Sequence, residues 1–293
     1  MTRLTRLFVL IAALGALAPG VASALTGDKA VARMVAFGGS CANCELSGRK
    51  LAGARFIGAD FTGAALVGSD LRGARFHGSD FSKADLSRAD MSESSMMGAS
   101  FDGANLSDAV LRSAEANGAD FARADLSGAD LRELEGSGSN FASANLQDAR
   151  LDEAELNGVN FSRANARGAD FSEAELTAAN LQGGRFDNAS FRETELDMAS
   201  LRGATFAGAD FRGASLDRTD IGGADLSRAR GLNQSQLDDA CADNGTKVPS
   251  GLTAKSCGGR RVVVRMRPPP APPAPPAPPA PPAGPRYLAP LAD

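Results

Sequence analysis

Between Leu46 and Leu226 the chain holds a five-residue register through 37 consecutive units, with no insertion or deletion. The unit centres, at 46, 51, 56 and onward, are overwhelmingly Leu or Phe. The residue two before each centre is nearly always Ala, Ser, Thr or Gly, and thirteen of the fifteen Phe residues sit at centres. A period this strict makes each unit one structural element that buries its apolar face against the units stacked on it, so the chain is a solenoid rather than a globule. Without the register, no Trp, one Tyr and 33 Gly would suit a weakly folded chain. Regular placement makes the same 43 % hydrophobic content sufficient.

A small and a large apolar residue two apart place both side chains on one side of an extended segment, while the residues between and after them point outward and turn a corner. Ala84-Asp85-Leu86-Ser87-Arg88, Ala119-Asp120-Phe121-Ala122-Arg123 and Ala209-Asp210-Phe211-Arg212-Gly213 show the pattern. From Leu46 the centres run Leu, Leu, Phe, Phe, then Leu66, Leu71, Phe76 and Phe81, a twenty-residue super-period that asks for four sides. Phe61, Phe81, Phe101, Phe121, Phe141 and Phe161 form one expected stack. After Ala166 the pattern shifts by ten residues, to Phe171, Phe191 and Phe211 on the opposite side, joined by Phe186 and Phe206. Ala116, Gly136 and Ala166 are weak centres, and Leu134 is a large residue at a small site, placed to fill the space beside Gly136.

These units resemble the pentapeptide-repeat family, whose units read Ala, Asp or Asn, Leu or Phe, then two variable residues. The resemblance covers residues 46–230 and implies an all-β fold, a right-handed quadrilateral parallel β-helix. At strand spacing of ~4.8 Å that is about nine coils and ~43 Å of rod, with unpaired edges only at its ends.

Flanking regions follow from composition. Residues 1–24 read as a secretory signal: Arg3 and Arg6, an apolar run from Leu7 to Leu17, then Ala22-Ser23-Ala24 as a small-x-small cleavage site. The run is too short to span a membrane, and Leu25 is not the Cys of a lipid-anchored end. Export, to a bacterial periplasm, is the expectation, without stable membrane insertion after signal removal. Residues 25–45 lead into the stack, and 231–257 form a small C-terminal cap in which Asn233 and Gln236 make a capping box. Residues 258–293 are a basic, Pro-rich tail: Val262-Val263-Val264 suggests a short strand, and Pro268 to Pro285 suggests a disordered polyproline II spacer.

Chemistry is sparse. Cys41-Ala42-Asn43-Cys44 precedes the first coil, while Cys241 and Cys257 lie in the cap. A rod ~43 Å long keeps the two pairs from sharing one zinc, and Glu45 stands where haem attachment needs His. Two local disulfides suit an exported chain, Cys241–Cys257 the more natural closure and Cys41–Cys44 the less certain. The single histidine, His77, is at an outward position, and no Ser-His-Asp set, phosphate-cradling Gly loop or metalloprotease motif is present. The expectation is a non-enzyme without cofactors.

The outward residues supply one candidate site. Glu115, Glu135, Glu155, Glu175 and Glu195 recur every twenty residues, and Glu133, Glu153, Glu173 and Glu193 form a second column beside them. Two readings stand: a solvated edge partly offset by Arg132 and Arg192, or a docking edge for a basic protein surface, with loosely held Ca²⁺ as a further occupant. Elsewhere Asp70/Arg72, Asp130/Arg132 and Asp210/Arg212 place opposite charges together, and Asn140, Asn160 and Asn180 line up as an amide ladder. Residues 41–230 carry 30 acidic against 20 basic side chains, which disfavours binding a nucleic-acid backbone. The leading expectation is an exported scaffold that binds a protein partner through its acidic side. The family resemblance implies an alternative, a DNA mimic that binds type II topoisomerases, and a spacer in the cell envelope is the third.

Overall fold

The computed structural model describes residues 39–256. The expected signal segment, the strand expected at Val262–Val264, the Pro-rich stretch and Cys257 lie outside the described residues. Within them, each outward residue before a centre pairs in parallel with the residue twenty positions on: Ser40 with Asp60, Glu45 with Ala65, Lys50 with Asp70 and Arg55 with Arg75. These four ladders climb in unbroken twenty-residue steps as far as Arg230. The first bridge belongs to Ser40, inside the stretch expected to be a lead-in. Cys41 takes the place of a Leu or Phe centre there, so a search for large apolar centres starts one unit late.

One residue per unit bridges each side, so the coils contain no long strands. The backbone is nonetheless paired nearly throughout. In the unit centred on Phe141, the Phe141 N–H donates to Asn160 O at 2.7 Å, Ser143 N–H to Ser162 O at 2.9 Å, and Asn140 N–H to Ala119 O at 2.9 Å. Ala144 N–H closes the corner turn on Phe141 O at 3.1 Å. The fifth N–H of a unit falls to the side chain before the centre. Asp60, Asp80, Asp120, Asn140 and Asn160 each accept the N–H two residues on, at 2.8–3.1 Å. This Asx turn is the physical reason for Asp or Asn at that site: the short side chain reaches its own backbone, and a Leu there would leave a donor unpaired.

Each corner holds its third turn residue at positive φ, the signature of a type II turn. Every such residue from Asn43 to Gly223 obeys this, nineteen of them Gly and eighteen not. Glycine is therefore favoured at these corners but not required.

The interior is apolar and close-packed. Phe61, Phe81, Phe101, Phe121, Phe141 and Phe161 stack at centroid spacings of 4.7–5.1 Å. Phe161 then meets Phe171 edge-on at 5.7 Å, handing the aromatic column to the opposite side, where Phe171, Phe191 and Phe211 stack at 5.1 Å. Leu134 does fill the gap left by Gly136. A methyl group on Gly136 would lie 3.4 Å from Leu134 Cδ2 and 2.8 Å from Leu156 Cδ2. Two of the hydroxyls at small inward sites are taken up by neighbouring carbonyls, Thr194 donating to Phe171 O at 2.7 Å and Thr219 to Leu196 O at 2.8 Å, whereas the buried hydroxyls of Ser69 and Ser94 have no partner.

After Arg230 the chain makes helix α1 (Gln234–Asp238) and two short parallel strands, β1 (Cys241–Ala242) and β2 (Lys255–Ser256). The capping box forms as expected. Asn233 Oδ1 accepts from Gln236 N at 3.1 Å, and Gln236 Oε1 accepts from Asn233 N at 2.8 Å. Gln236 Nε2 also donates to Phe211 O at 2.9 Å and Ala214 O at 2.8 Å, satisfying carbonyls of the last full coil. Leu237 is buried over the core end, and Cys241 pairs below Asp220 to extend one ladder.

Candidate functional site

The twenty-residue period turns the glutamates into two real columns on one corner. Glu115, Glu135, Glu155, Glu175 and Glu195 bridge one another in succession along a single ladder. Glu133, Glu153, Glu173 and Glu193 occupy the adjoining corner at φ of 56–62°. All nine are exposed. Glu93, at φ 56°, stands in the same corner column and extends it toward the N-terminal end. It escaped the sequence reading because Ser113 interrupts the run between it and Glu133.

The fold does not ask for glutamate at either place. At the ladder position, Asp and Asn cap the turn elsewhere. No hydrogen bond ties the carboxylates of Glu115, Glu135, Glu155, Glu175 or Glu195 to the second backbone N–H that follows them. That donor is met otherwise where partners are seen: Ser137 N–H donates to Asn117 Oδ1 of the preceding coil at 2.9 Å. At the corner position, half of the equivalent residues are glycine, which takes positive φ without strain. Two columns of like charge one rung apart, ~4.8 Å, add mutual repulsion.

Little nearby offsets that charge. Arg132, expected to do so, turns instead to Asp130, with Nε on Oδ1 at 2.7 Å and Nη2 on Oδ2 at 2.6 Å. The reason is geometric, since a guanidinium two residues after an Asp on one side closes a two-point contact with it. Arg192 makes no ion pair with the glutamates, and its field falls on Asp210. Among the described residues none of the nine glutamates joins an ion pair. Their polar contacts are neutral: Ser113 Oγ donates to Glu133 at 2.8 Å and Asn157 Nδ2 to Glu175 at 2.8 Å. No group of three or more His, Cys, Asp or Glu among the described residues converges to hold a metal ion.

The remaining charged and polar columns are structural. Arg72 grips Asp70 through two contacts at 2.8 Å, and its hydrogen bond holds the Asp70 carboxyl below the usual range. Arg212 does the same to Asp210. The amide ladder is present, with Asn160 Nδ2 donating to Asn140 Oδ1 at 2.9 Å and Asn180 to Asn160 at 3.2 Å. A second ladder, Asn165 to Asn145 and Asn145 to Asp125, both at 2.9 Å, is less visible in the sequence because it mixes Asp with Asn where the first has three successive Asn. Asp152 is the exception among the carboxylates, pushed upward chiefly by burial. At the N-terminal end Cys41 and Cys44 form a disulfide across the first described turn, both buried. Cys241 is disulfide-bonded as well, and its expected partner Cys257 lies outside the described residues.

A four-ladder solenoid with an apolar Leu/Phe core and one long carboxylate edge defines the class: a repeat protein whose polar chemistry lies on its outer surface. The chain belongs to the pentapeptide-repeat family. Eight copies of the model for pentapeptide repeats match residues 40–230, and membership implies the right-handed β-helix. Among solved structures, the chain is similar to HetL, a pentapeptide repeat protein involved in heterocyst differentiation regulation in the cyanobacterium Nostoc sp. Strain PCC 7120. It shares 30 % identity with HetL over 70 % of this chain and 92 % of that one, at a TM-score of 0.61. A pentapeptide repeat protein of the Arabidopsis thaliana thylakoid lumen is 38 % identical over 36 % of this chain and 70 % of that one, with a TM-score of 0.22. QnrB1, a plasmid-mediated fluoroquinolone resistance protein, is 24 % identical over 61 % of this chain and 90 % of that one, with a TM-score of 0.29. Comparison with curated protein sequences gave no match.

Proposed function

We propose that this protein is an exported, non-enzymatic scaffold that presents its glutamate edge to a basic surface on a partner protein. One observation carries the reading. Five consecutive rungs of one ladder hold glutamate at the unit position that Asp or Asn most often fills on the other three, and their carboxylates stay out of the turn that Glu45, at the same unit position, closes by accepting from Ser47 N–H at 2.9 Å. A chain under pressure only to fold gains nothing from that choice and incurs repulsion for it. A rigid rod with carboxylates at rung spacing would match an extended run of Lys or Arg and speed its capture electrostatically.

The test is crosslinking capture from the native envelope fraction, comparing wild type with a variant carrying Gln at 133, 135, 153, 155, 173 and 175. Loss of a captured protein with the variant supports the edge, whereas equal capture by both places the contact elsewhere on the rod. N-terminal sequencing of the protein from its native source tests export, which predicts a mature chain starting near Leu25.

A further inference from the structure

Unexplained features gather at the N-terminal end of the glutamate edge. The two large apolar side chains that stand exposed among the described residues are Ile57, at 43 %, and Met97, at 45 %. They are forty residues apart, so they share one column, with His77 on the rung between them. The ladder beside this column reverses sign: Arg55 bridges Arg75, Arg75 bridges Ser95, and Ser95 bridges Glu115, where the acidic run begins. At the reversal lies a shallow depression of about 340 Å³, lined by Gly73, Arg75, His77, Glu93, Ser95 and Glu115.

Gly73 occupies the corner position that Glu93 and Glu133 fill at nearly the same φ, and a Cβ on Gly73 would meet nothing within 4 Å. A side chain would find space there, so Gly73 leaves that wall of the hollow open. His77 Nε2 lies 2.7 Å from Ser95 Oγ, which fixes the imidazole against the floor. Arg75, Glu93 and Glu115 join no ion pair among the described residues, so opposite charges line the one hollow without direct pairing, although Glu93 lies in the field of Arg72.

We propose that this sign reversal is the anchoring site for an extended segment of the partner protein, one that sets a large apolar side chain over His77 between Ile57 and Met97, a carboxylate against Arg55 and Arg75, and Lys or Arg side chains along Glu93, Glu115 and the ladder below. The inference rests on the reading of the edge as a protein-binding surface and supplies its register and direction. Charge complementarity selects the occupant: a purely basic segment would meet the two arginines unfavourably at this end, and a purely acidic one would meet the glutamates. Reach argues against a small zwitterion. Arg55 and Glu115 are three rungs apart, ~14 Å, a span that an extended chain crosses in about four or five residues.

Fluorescence anisotropy with three synthetic peptides tests the site on the full chain. The first peptide carries an Asp run, one Leu and a Gly-spaced Lys run, the second replaces Leu by Gly, and the third has Lys only. Wild type should bind the first about tenfold tighter than the second, as expected for partial burial of one Leu side chain. Met97→Asp, which spoils the apolar column, and Gly73→Glu, which fills the hollow, leave the core untouched and should reduce the first peptide to the level of the Lys-only one. Arg75→Glu should also weaken it. Unchanged affinity in Met97→Asp and Gly73→Glu overturns the proposal, as does displacement of the first peptide by free lysine or glutamate. The Lys-only peptide reports on the edge alone. If it binds wild type and fails on the six-Gln variant while Met97→Asp has no effect on the first peptide, the edge stands and the anchor falls. If it fails on wild type while the first peptide binds and depends on Met97, the anchor stands and the edge as a basic-segment ladder falls.

Discussion

Phe141 sits midway along the aromatic column, fully buried, with Phe121 at 4.7 Å and 10° on one side and Phe161 at 5.1 Å and 29° on the other. Phe141→Ala removes a ring from a site that cannot collapse, because both neighbouring coils are held by their own backbone ladders. The expected loss is about 3–5 kcal/mol. Within that total, two stacked pairs, each worth roughly 0.5–1.5 kcal/mol beyond area, disappear together. Phe141→Leu should cost far less, about 1–2 kcal/mol, since Leu181 and Leu201 occupy the same column two and three coils further on and are fully buried there. Denaturant unfolding measures the difference. Hydrogen exchange locates it, because a solenoid couples chiefly nearest neighbours: protection should fall in the coils around residues 121–161 and persist around Phe191 and Phe211. A loss under about 1 kcal/mol for Phe141→Ala, or a uniform loss of protection along the rod, would refute the reasoning from a stacked, locally coupled core.

Neutralising the edge should stabilise the protein. The six-Gln variant is expected to melt higher than wild type in low salt, with the gap closing as salt screens wild type, as thermal scans across a salt series would reveal. Acid should act in two directions. Asp210 is held below its usual range, mainly by the Arg212 hydrogen bond, so its contribution is present above about pH 3.9 and fades as pH falls further toward its lower folded pKa. Asp210→Asn should therefore flatten the acid limb of a stability–pH curve. Asp152 is shifted upward by burial, so its charged form opposes folding at neutral pH and protonation relieves it; Asp152→Asn is expected to raise the melting temperature at pH 7 and to lose that advantage in acid. Reducing the Cys41–Cys44 disulfide, which closes a loop only three residues long in sequence separation, should cost about 2 kcal/mol. Faster amide exchange confined to residues 42–47, with the Phe stack still protected, is the expected signature.

Sequence alone determined the architecture because its signal repeats. A five-residue spacing of Leu and Phe, doubled twice into a twenty-residue super-period, names the side count, the inward residues and the columns before any coordinate is known. The shift of the Phe column at residue 171, the partnership of Leu134 with Gly136 and the Asn140–Asn160–Asn180 ladder were all legible for that reason. Only the tertiary structure decided matters that depend on which neighbour a flexible side chain chooses. The sequence offers Arg132 both the glutamates and Asp130, and the structure gives it to Asp130, whose bidentate contact on the same rung is shorter-range and better aligned. The start of the stack at Ser40 was hidden by a cysteine at a centre. The hollow beside His77 is left open on one wall by Gly73, and nothing in a string of letters distinguishes a corner glycine that the backbone needs from one whose empty space is the feature. Periodicity fixes where residues stand along a solenoid; the distances and competing partners around each of them decide what they are free to do.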